Sequence, residues 1–178
     1  MQLETRKVNE TTASGNTLTG YAVIWDAESR TIAEHGRVFT EQIARGAFDN
    51  TLNADEDVKL YYNHDTSQPL ARTKNGSLRL FTDDKGLRFE ADLPDTTLAK
   101  DVKELLNRKI LTGEMSFGFY NIRDSWSPDK KQRKVNEAKL VEISVVVDAA
   151  YPSTSSQLRN AQSEITQKRI NLLRRRIK

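Results

Sequence analysis

The stretch MSFGFYNIRDSWSPDKKQRKVNEAKLVEISVVVD (115–148) consists of two alternating arms around a polar centre. Large apolar residues alternate with small or polar ones in the first arm (115–124), and the second arm (134–148) ends in a β-branched alternation. Alternation of period two is typical of a strand that buries one face. The segment SWSPDKKQR between the arms has the serine, proline and aspartate residues that form turns. The stretch therefore predicts an antiparallel hairpin.

Other segments of the first 150 residues have the same period. LTGYAVIW (18–25) and DVKLYYN (57–63) predict two further strands. SLRLF (77–81) and LRFEADL (87–93) predict a second hairpin across the turn TDDKG, because their apolar residues alternate and the turn contains glycine and aspartate. Strands thus dominate this part of the chain.

Two helical segments interrupt the strands. GAFDNTLN (46–53) predicts the start of a short helix. The stretch from Asp95 to Ile110 predicts a longer one, with Asp95 or Thr96 as its cap and an apolar stripe at Leu98, Val102, Leu105 and Leu106. The fold expected from these patterns is mainly β with flanking helices (α+β), an antiparallel sheet or barrel of about six or seven strands.

The end of the chain differs from the rest. Residues 154–178 have no strand signal, and their apolar residues recur at helical spacing among charges. We therefore expect a globular domain at residues 1–153 and a basic amphipathic helical extension at residues 154–178. After Glu164 the extension has no acid and six positive charges, at Lys168, Arg169, Arg174, Arg175, Arg176 and Lys178.

Composition excludes several classes of protein. The 178 residues suffice for one domain with a core, and the absence of cysteine excludes disulfides and thiolate catalysis. No apolar run reaches the ~20 residues that cross a bilayer, and the first ten residues lack the apolar segment of a secretory signal. Without the six positive charges after Glu164, the net charge of +3 would be −3. Neither a membrane nor nucleic acid is therefore the expected partner of the domain.

Ser116 is the candidate nucleophile. Met115, Phe117 and Phe119 occupy the apolar face of their strand, so Ser116 and Gly118 point to the opposite face. A serine on that face, two residues before a glycine that leaves space above the backbone, is expected to be reachable by substrate. The alternative is an ordinary polar position on the surface of a sheet.

A serine hydroxyl needs a base, and the chain has only two histidines, His35 and His64. His35 lies in the loop-like segment TIAEHGRVF, where a solvated side chain is expected. His64 ends the strand of residues 57–63 and begins the turn HDTSQPLAR, so it is either the base or a turn residue. Strict alternation places His64 on the apolar face of its strand, unlike Ser116. A bulge or strand end near Asn63 would remove this conflict.

The base needs a carboxylate that orients it. Glu142 stands opposite the apolar face of VEISVVV, as Ser116 does on its own strand, and an acid within so apolar a strand calls for a reason. It is either this orienting acid or a polar residue facing solvent or a lysine. Asp148 at the strand end is the second candidate, whereas Asp65 is too near His64 in sequence to orient it.

Other chemistries lack their motifs. The sequence has no HExxH, no glycine-rich phosphate loop and no GxSxG elbow, which argues against a zinc protease, an NTPase and an α/β-hydrolase. No cofactor and no metal are expected.

Six stretches, in their order along residues 18–153, resemble the prohead (capsid-maturation) serine proteases of tailed bacteriophages: GYAVIWD, ARGAF, LYYNHDTSQPLAR, GLRFEADLPDT, GEMSFGF and LVEISVVVDAAYP. That family is similar to the herpesvirus assemblins, serine proteases with a closed β-barrel flanked by helices. The resemblance implies such a barrel here, with His64 as general base, Ser116 as nucleophile and Glu142 in the place of the third member. Arg72 matches a recurring arginine that contacts substrate or oxyanion, or forms a salt bridge.

The resemblance also implies a substrate and a location. The enzyme would cleave the scaffolding segment of the major capsid protein, and itself, within the immature capsid (prohead) in the host cytoplasm. A homodimer is expected by analogy with the assemblins. The extension would bind coat or scaffold protein or serve as an oligomerisation helix, and DNA binding by it ranks third.

Two other hypotheses remain open at this point. One is a capsid-assembly or scaffolding protein that keeps the barrel without catalysis, in which Ser116, His64 and Glu142 would be replaceable. The other is an unrelated β-barrel binding module, which would leave the ordered motifs unexplained.

Overall fold

The fold is known from a computed structural model that describes residues 3–9, 11–14, 16–34 and 36–147. The residues up to Val147 belong to one compact unit. His35, Asp148 and the predicted helical extension at residues 154–178 lie outside the described residues.

The described part of the chain contains eleven strands and two α-helices. The strands are β1 (Leu3–Asn9), β2 (Thr11–Ser14), β3 (Thr17–Ile24), β4 (Ile32–Glu34), β5 (Arg37–Ile43), β6 (Lys59–Tyr62), β7 (Asp65–Arg72), β8 (Leu78–Thr82), β9 (Gly86–Asp92), β10 (Glu114–Trp126) and β11 (Gln132–Val145). The helices are α1 (Asp49–Asn53) and α2 (Thr97–Asn107), and a single 3₁₀ turn spans Thr73–Asn75. The chain is therefore mainly β, as predicted.

The hairpin predicted from residues 115–148 is the centre of the larger sheet. β10 pairs antiparallel with β11, and β1 pairs antiparallel with the other edge of β10. β11 is 14 residues long, so its free edge accommodates two short strands, β5 beside residues 132–135 and β6 beside residues 142–145. Both run parallel to β11, and β4 and β7 extend them as antiparallel partners.

The smaller sheet is antiparallel, in the order β2-β3-β9-β8. It contains the second predicted hairpin as β8 and β9. The described residues do not form the expected closed antiparallel barrel of about six or seven strands. Their larger sheet is mixed, because the connection from β5 to β6 through α1 returns the chain in the same direction, and their pairing does not close into a ring.

The two sheets share one apolar core. Met115, Phe117 and Phe119 are buried on one face of β10, as predicted from their alternation. Phe48, just before α1, packs its ring against Phe117 and Phe119 with centroid distances of 6.1 and 6.2 Å. Leu87, Phe89 and Ala91 of the smaller sheet enter the same core. Burial of this face fixes which side of β10 is left for Ser116.

Helix α2 is shorter than the predicted stretch from residue 95 to residue 110. Thr96 caps it, since its side-chain oxygen accepts a hydrogen bond from the Ala99 amide at 3.3 Å. Lys109 has a left-handed backbone (φ 56°), which ends the helical path. Ala99 and Val102 are fully buried beneath the helix.

The sequence patterns missed five strands, β1, β2, β4, β5 and β7. The segment that forms β7 was predicted to be a turn because it contains serine, glutamine and Pro69. In the fold it pairs with β6 alone among the described strands. Proline is tolerated in an edge strand because no ladder partner requires its missing N–H group there.

Candidate active site

Side chains of β10, β11 and β6 share one face of the larger sheet. Ser116 is paired with Ser144 across the β10–β11 ladder, and Gly118 is paired with Glu142. Residues that are directly opposite in neighbouring strands point to the same face. Ser116 and Glu142, both predicted to point away from the apolar face of their strands, therefore lie on a common surface.

His64 enters this surface from the end of β6. Asn63 and His64 both have left-handed backbones, with φ of 54° and 60°. The Asn63 amide donates to the Val145 carbonyl at 2.8 Å, and the Asn63 side-chain oxygen accepts from the Val147 amide at 3.0 Å. These bonds tie the strand end to β11 while the two left-handed residues rotate His64 out of the alternation of β6. The conflict between the faces of His64 and Ser116 is thereby removed at Asn63.

The Glu142 carboxylate is hydrogen-bonded through both of its oxygens. His64 Nδ1 lies 2.7 Å from Glu142 Oε1, and the Ser144 hydroxyl donates to Glu142 Oε2 at 2.6 Å. Glu142 and Ser144 are both buried. Because a carboxylate accepts, the His64 Nδ1 carries the proton of this bond, which leaves Nε2 as the acceptor of the ring.

Gly118 provides the space that this carboxylate occupies. A Cβ atom at position 118 would lie 2.6 Å from Glu142 Oε1, closer than such atoms approach each other in proteins. The expectation that the glycine opens a path for substrate is therefore wrong. The gap above the backbone holds the Glu142 side chain where His64 can reach it.

Two buried side-chain atoms of this surface, one oxygen and one nitrogen, have no hydrogen-bonding partner among the residues that the structure describes. These are the Ser116 Oγ and the His64 Nε2, and both are buried. The expectation that Ser116 is reachable by substrate is also wrong for this conformation, because the residue is 0% exposed. Buried polar groups are normally paired, and unpaired ones mark sites where a group has a further task.

Ser144 is the residue of this surface to which the sequence analysis gave no role. It is as buried as Ser116 and lies directly opposite it. The two hydroxyls differ in their bonding, since that of Ser144 donates to Glu142 and that of Ser116 has no partner within the described ranges. The signal for Ser144 was its spacing, two residues after Glu142 on the same face.

Arg72 lies two strands away from Glu142 and is bound to another acid. Its guanidinium donates to both oxygens of Asp57, with Nε 3.1 Å from Oδ1 and a second bond from Nη2 to Oδ2. Lys59 Nζ lies 3.1 Å from Asp57 Oδ2. The hydrogen bond from Arg72, followed by that from Lys59, holds the pKa of Asp57 below its ordinary value. Of the roles considered for Arg72, the salt bridge is the one present.

The remaining candidates do not join the site. Asp65 accepts hydrogen bonds from Ser67 and Gln68, and so orders the turn after His64. Within the described ranges, no group of three or more His, Cys, Asp or Glu residues is arranged to hold a metal ion. Neither helix of the described part is long and apolar enough to cross a membrane.

We predict that Arg72→Gln raises the pKa of Asp57 towards its ordinary value, because the variant lacks the charged donor. A carboxyl group with a lowered folded-state pKa stabilises the fold above its unfolded-state pKa, and this contribution is lost as the pH falls through the folded-state pKa. The variant should therefore lose less stability than the parent protein on acidification. Carboxyl ¹³C NMR titration measures the pKa, with Arg79→Gln, which removes the partner of Asp92 instead, as the control. An unchanged Asp57 titration in Arg72→Gln would contradict the assignment.

Comparisons with known proteins place this chain in a family. The family model of the caudovirus prohead serine proteases matches residues 1–169. No curated protein sequence matches the chain significantly. Among solved structures, the bacteriophage T4 capsid assembly protease, gp21, has a similar fold with a TM-score of 0.54 and 8% sequence identity, over 83% of this chain and 98% of the T4 chain.

The resemblance inferred from the six motifs is thus confirmed by a match that extends over nearly the whole sequence. At 8% identity the T4 structure supports the fold alone. On the family match, the chain belongs to the caudovirus prohead serine proteases and is a serine protease.

Proposed function

We propose that Ser116, His64 and Glu142 are the catalytic triad of this protease. The observation that carries the proposal is the 2.7 Å contact between His64 Nδ1 and Glu142 Oε1, two residues 78 positions apart in the sequence. The contact leaves Nε2 as the ring nitrogen able to take a proton. Neither Nε2 nor the Ser116 Oγ has a hydrogen-bonding partner among the described residues, so the two atoms are not bonded to each other in this conformation. Nucleophile, base and orienting acid are the three parts that acyl transfer by serine needs.

The proposed reaction proceeds in two halves. The Ser116 Oγ forms a bond to the carbonyl carbon of the scissile peptide while its proton passes to His64 Nε2. The carbon–nitrogen bond then breaks, and the leaving amine takes that proton. A water molecule attacks the acyl-enzyme with His64 as base again, which releases the acid product and restores the Ser116 hydroxyl. Glu142 remains ionised throughout and stabilises the imidazolium through Nδ1.

We further propose that the substrate is the scaffolding segment of the major capsid protein, and that the enzyme also cleaves itself. A prohead protease acts within the procapsid, so capsid protein is the substrate class that the family implies. The homodimer, the division into residues 1–153 and 154–178, and the binding of coat or scaffold protein by the extension stay predictions. The non-catalytic assembly protein has no observation in its favour, because the family consists of proteases.

We predict that a fluorophosphonate adds one mass increment to the protein and that peptide mass spectrometry locates it on Ser116. The increment should be absent from Ser116→Ala, and its rate of formation should fall by at least ~10³-fold in His64→Ala. Because the hydroxyl is buried, labelling requires the site to open and is followed over hours.

Ser144→Ala is the matched control for that experiment, since Ser144 is the equally buried serine opposite Ser116. Its mass increment should still appear on Ser116. Label on Ser144 in the parent protein would overturn the assignment of the nucleophile, and no label on any serine would overturn the triad.

We predict that Ser144→Ala slows labelling of Ser116 about tenfold or more, whereas Ser144→Thr keeps the rate within a few-fold of the parent. The alanine removes a hydrogen bond to a buried carboxylate, which is worth about 1.5–3 kcal/mol, and threonine restores the donor. Circular dichroism and urea unfolding of both variants show whether the fold is retained. Equal rates for alanine and threonine would show that the hydroxyl does not position Glu142.

A further inference from the structure

A groove of about 590 Å³ lies beside β6 and β7, apart from the residues of the proposed triad. Its apolar lining comes from both strands and from the segment after β9, at Tyr61, Pro69, Leu70, Ala71 and Pro94. Pro69 and Pro94 are exposed and form the part of this lining that is open to solvent, whereas the other three residues are buried. Thr66, also exposed, lies on its border. We call this feature the β7 groove.

The β7 groove continues a row of residues that begins at Ser116. Ser116 is opposite Ser144, Ser144 is opposite Tyr61, and Tyr61 is opposite Pro69, on four successive strands. These four residues therefore share one face of the sheet. Neighbouring strands lie ~4.8 Å apart, so Tyr61 is about 10 Å from Ser116. An extended peptide advances ~3.3 Å per residue and crosses that distance in about three residues.

The position of His64 decides which end of the substrate crosses the groove. His64 follows β6, so it lies on the β6 side of Ser116. In acyl transfer the histidine returns its proton to the nitrogen of the leaving amine. The leaving part of the peptide, which is C-terminal to the cleaved bond, must therefore extend from Ser116 towards β6 and β7.

The charges of the β7 groove are compensated within the protein. Lys59 and Arg72 are both bound to Asp57. Asp92, the acid at the border, accepts from Arg79 at 2.6 Å and from Thr17 at 3.1 Å. A charged side chain of the substrate would have to compete with these pairs, whereas an apolar side chain gains by covering the exposed Pro69 and Pro94.

We propose that the β7 groove binds an apolar side chain of the substrate, at about the third residue C-terminal to the cleaved bond. This inference rests on the proposed triad, because Ser116 and His64 set the origin and direction of the row. It assigns sequence selectivity to the leaving part of the substrate, and it makes the groove the part of the enzyme that recognises it.

The test is digestion of a defined mixture of synthetic tetradecapeptides, with every cleaved bond identified by mass spectrometry. The parent protein is compared with Thr66→Trp and Pro94→Trp, which fill the groove from two sides. Thr82→Trp is the matched control, since Thr82 is an exposed threonine of the smaller sheet. The rate of fluorophosphonate labelling is measured on all four proteins, because that reagent places nothing in the groove.

We expect the parent and Thr82→Trp to enrich apolar residues about tenfold at the third position after the cleaved bond, the gain typical of one apolar side chain in a pocket. Both groove-filling variants should lose this enrichment while they label Ser116 at the parental rate. Enrichment that survives in both variants, or that occurs only before the cleaved bond, would overturn the proposal. Labelling without cleavage of any peptide would also count against the groove, whereas absence of labelling would overturn the triad itself.

Discussion

The hydrogen-bonded carboxylate of Glu142 is the constraint on which the arrangement of this protein depends. Burying a charged carboxylate costs several kcal/mol unless its oxygens are satisfied. Here His64 satisfies one oxygen at 2.7 Å and Ser144 the other at 2.6 Å. Ser144 comes from the same strand, but His64 comes from a segment far away in sequence. The fold must therefore place the end of β6 next to the edge of β11.

Two features of the backbone bring His64 next to Glu142. The parallel pairing of β6 with residues 142–145 places the end of β6 beside Val145, one residue after Ser144. The left-handed residues Asn63 and His64 then turn the imidazole onto the face that carries Glu142. Gly118 completes the arrangement from the opposite strand, since any side chain there would displace the carboxylate. Residues of β6, β10 and β11 thus together fix the position of the Glu142 carboxylate.

Much of this site could be predicted from local patterns. Alternation in β10 and β11 put Ser116 and Glu142 on the faces opposite their apolar residues, and the pairing of these two strands follows from the hairpin. The position of His64 could not be obtained that way, because two left-handed residues interrupt the alternation. β6 and β11 pair in parallel although they are far apart in the sequence, and the periodicity of neither strand predicts this pairing. The sequence pattern did not reveal β7, because an edge strand tolerates proline and polar residues.

The burial of Ser116 was the other property that alternation could not reveal. Residues 114–119 are buried on both faces of β10, although only one face is apolar. A polar face usually indicates solvent, but here it is covered and holds the proposed triad. The same covering explains why the unpaired Ser116 hydroxyl and His64 Nε2 are shielded from water in this conformation. Catalysis by the proposed triad would therefore require the site to open.

The most direct measurement is the tautomer of His64, from ¹⁵N NMR of histidine-labelled protein at a pH where the ring is neutral. His35→Gln assigns the two histidines. The account predicts a proton on Nδ1 and none on Nε2, and predicts that Glu142→Gln alters this pattern. A neutral His64 with its proton on Nε2 would contradict the account, because that ring could neither donate to Glu142 nor take the proton of Ser116.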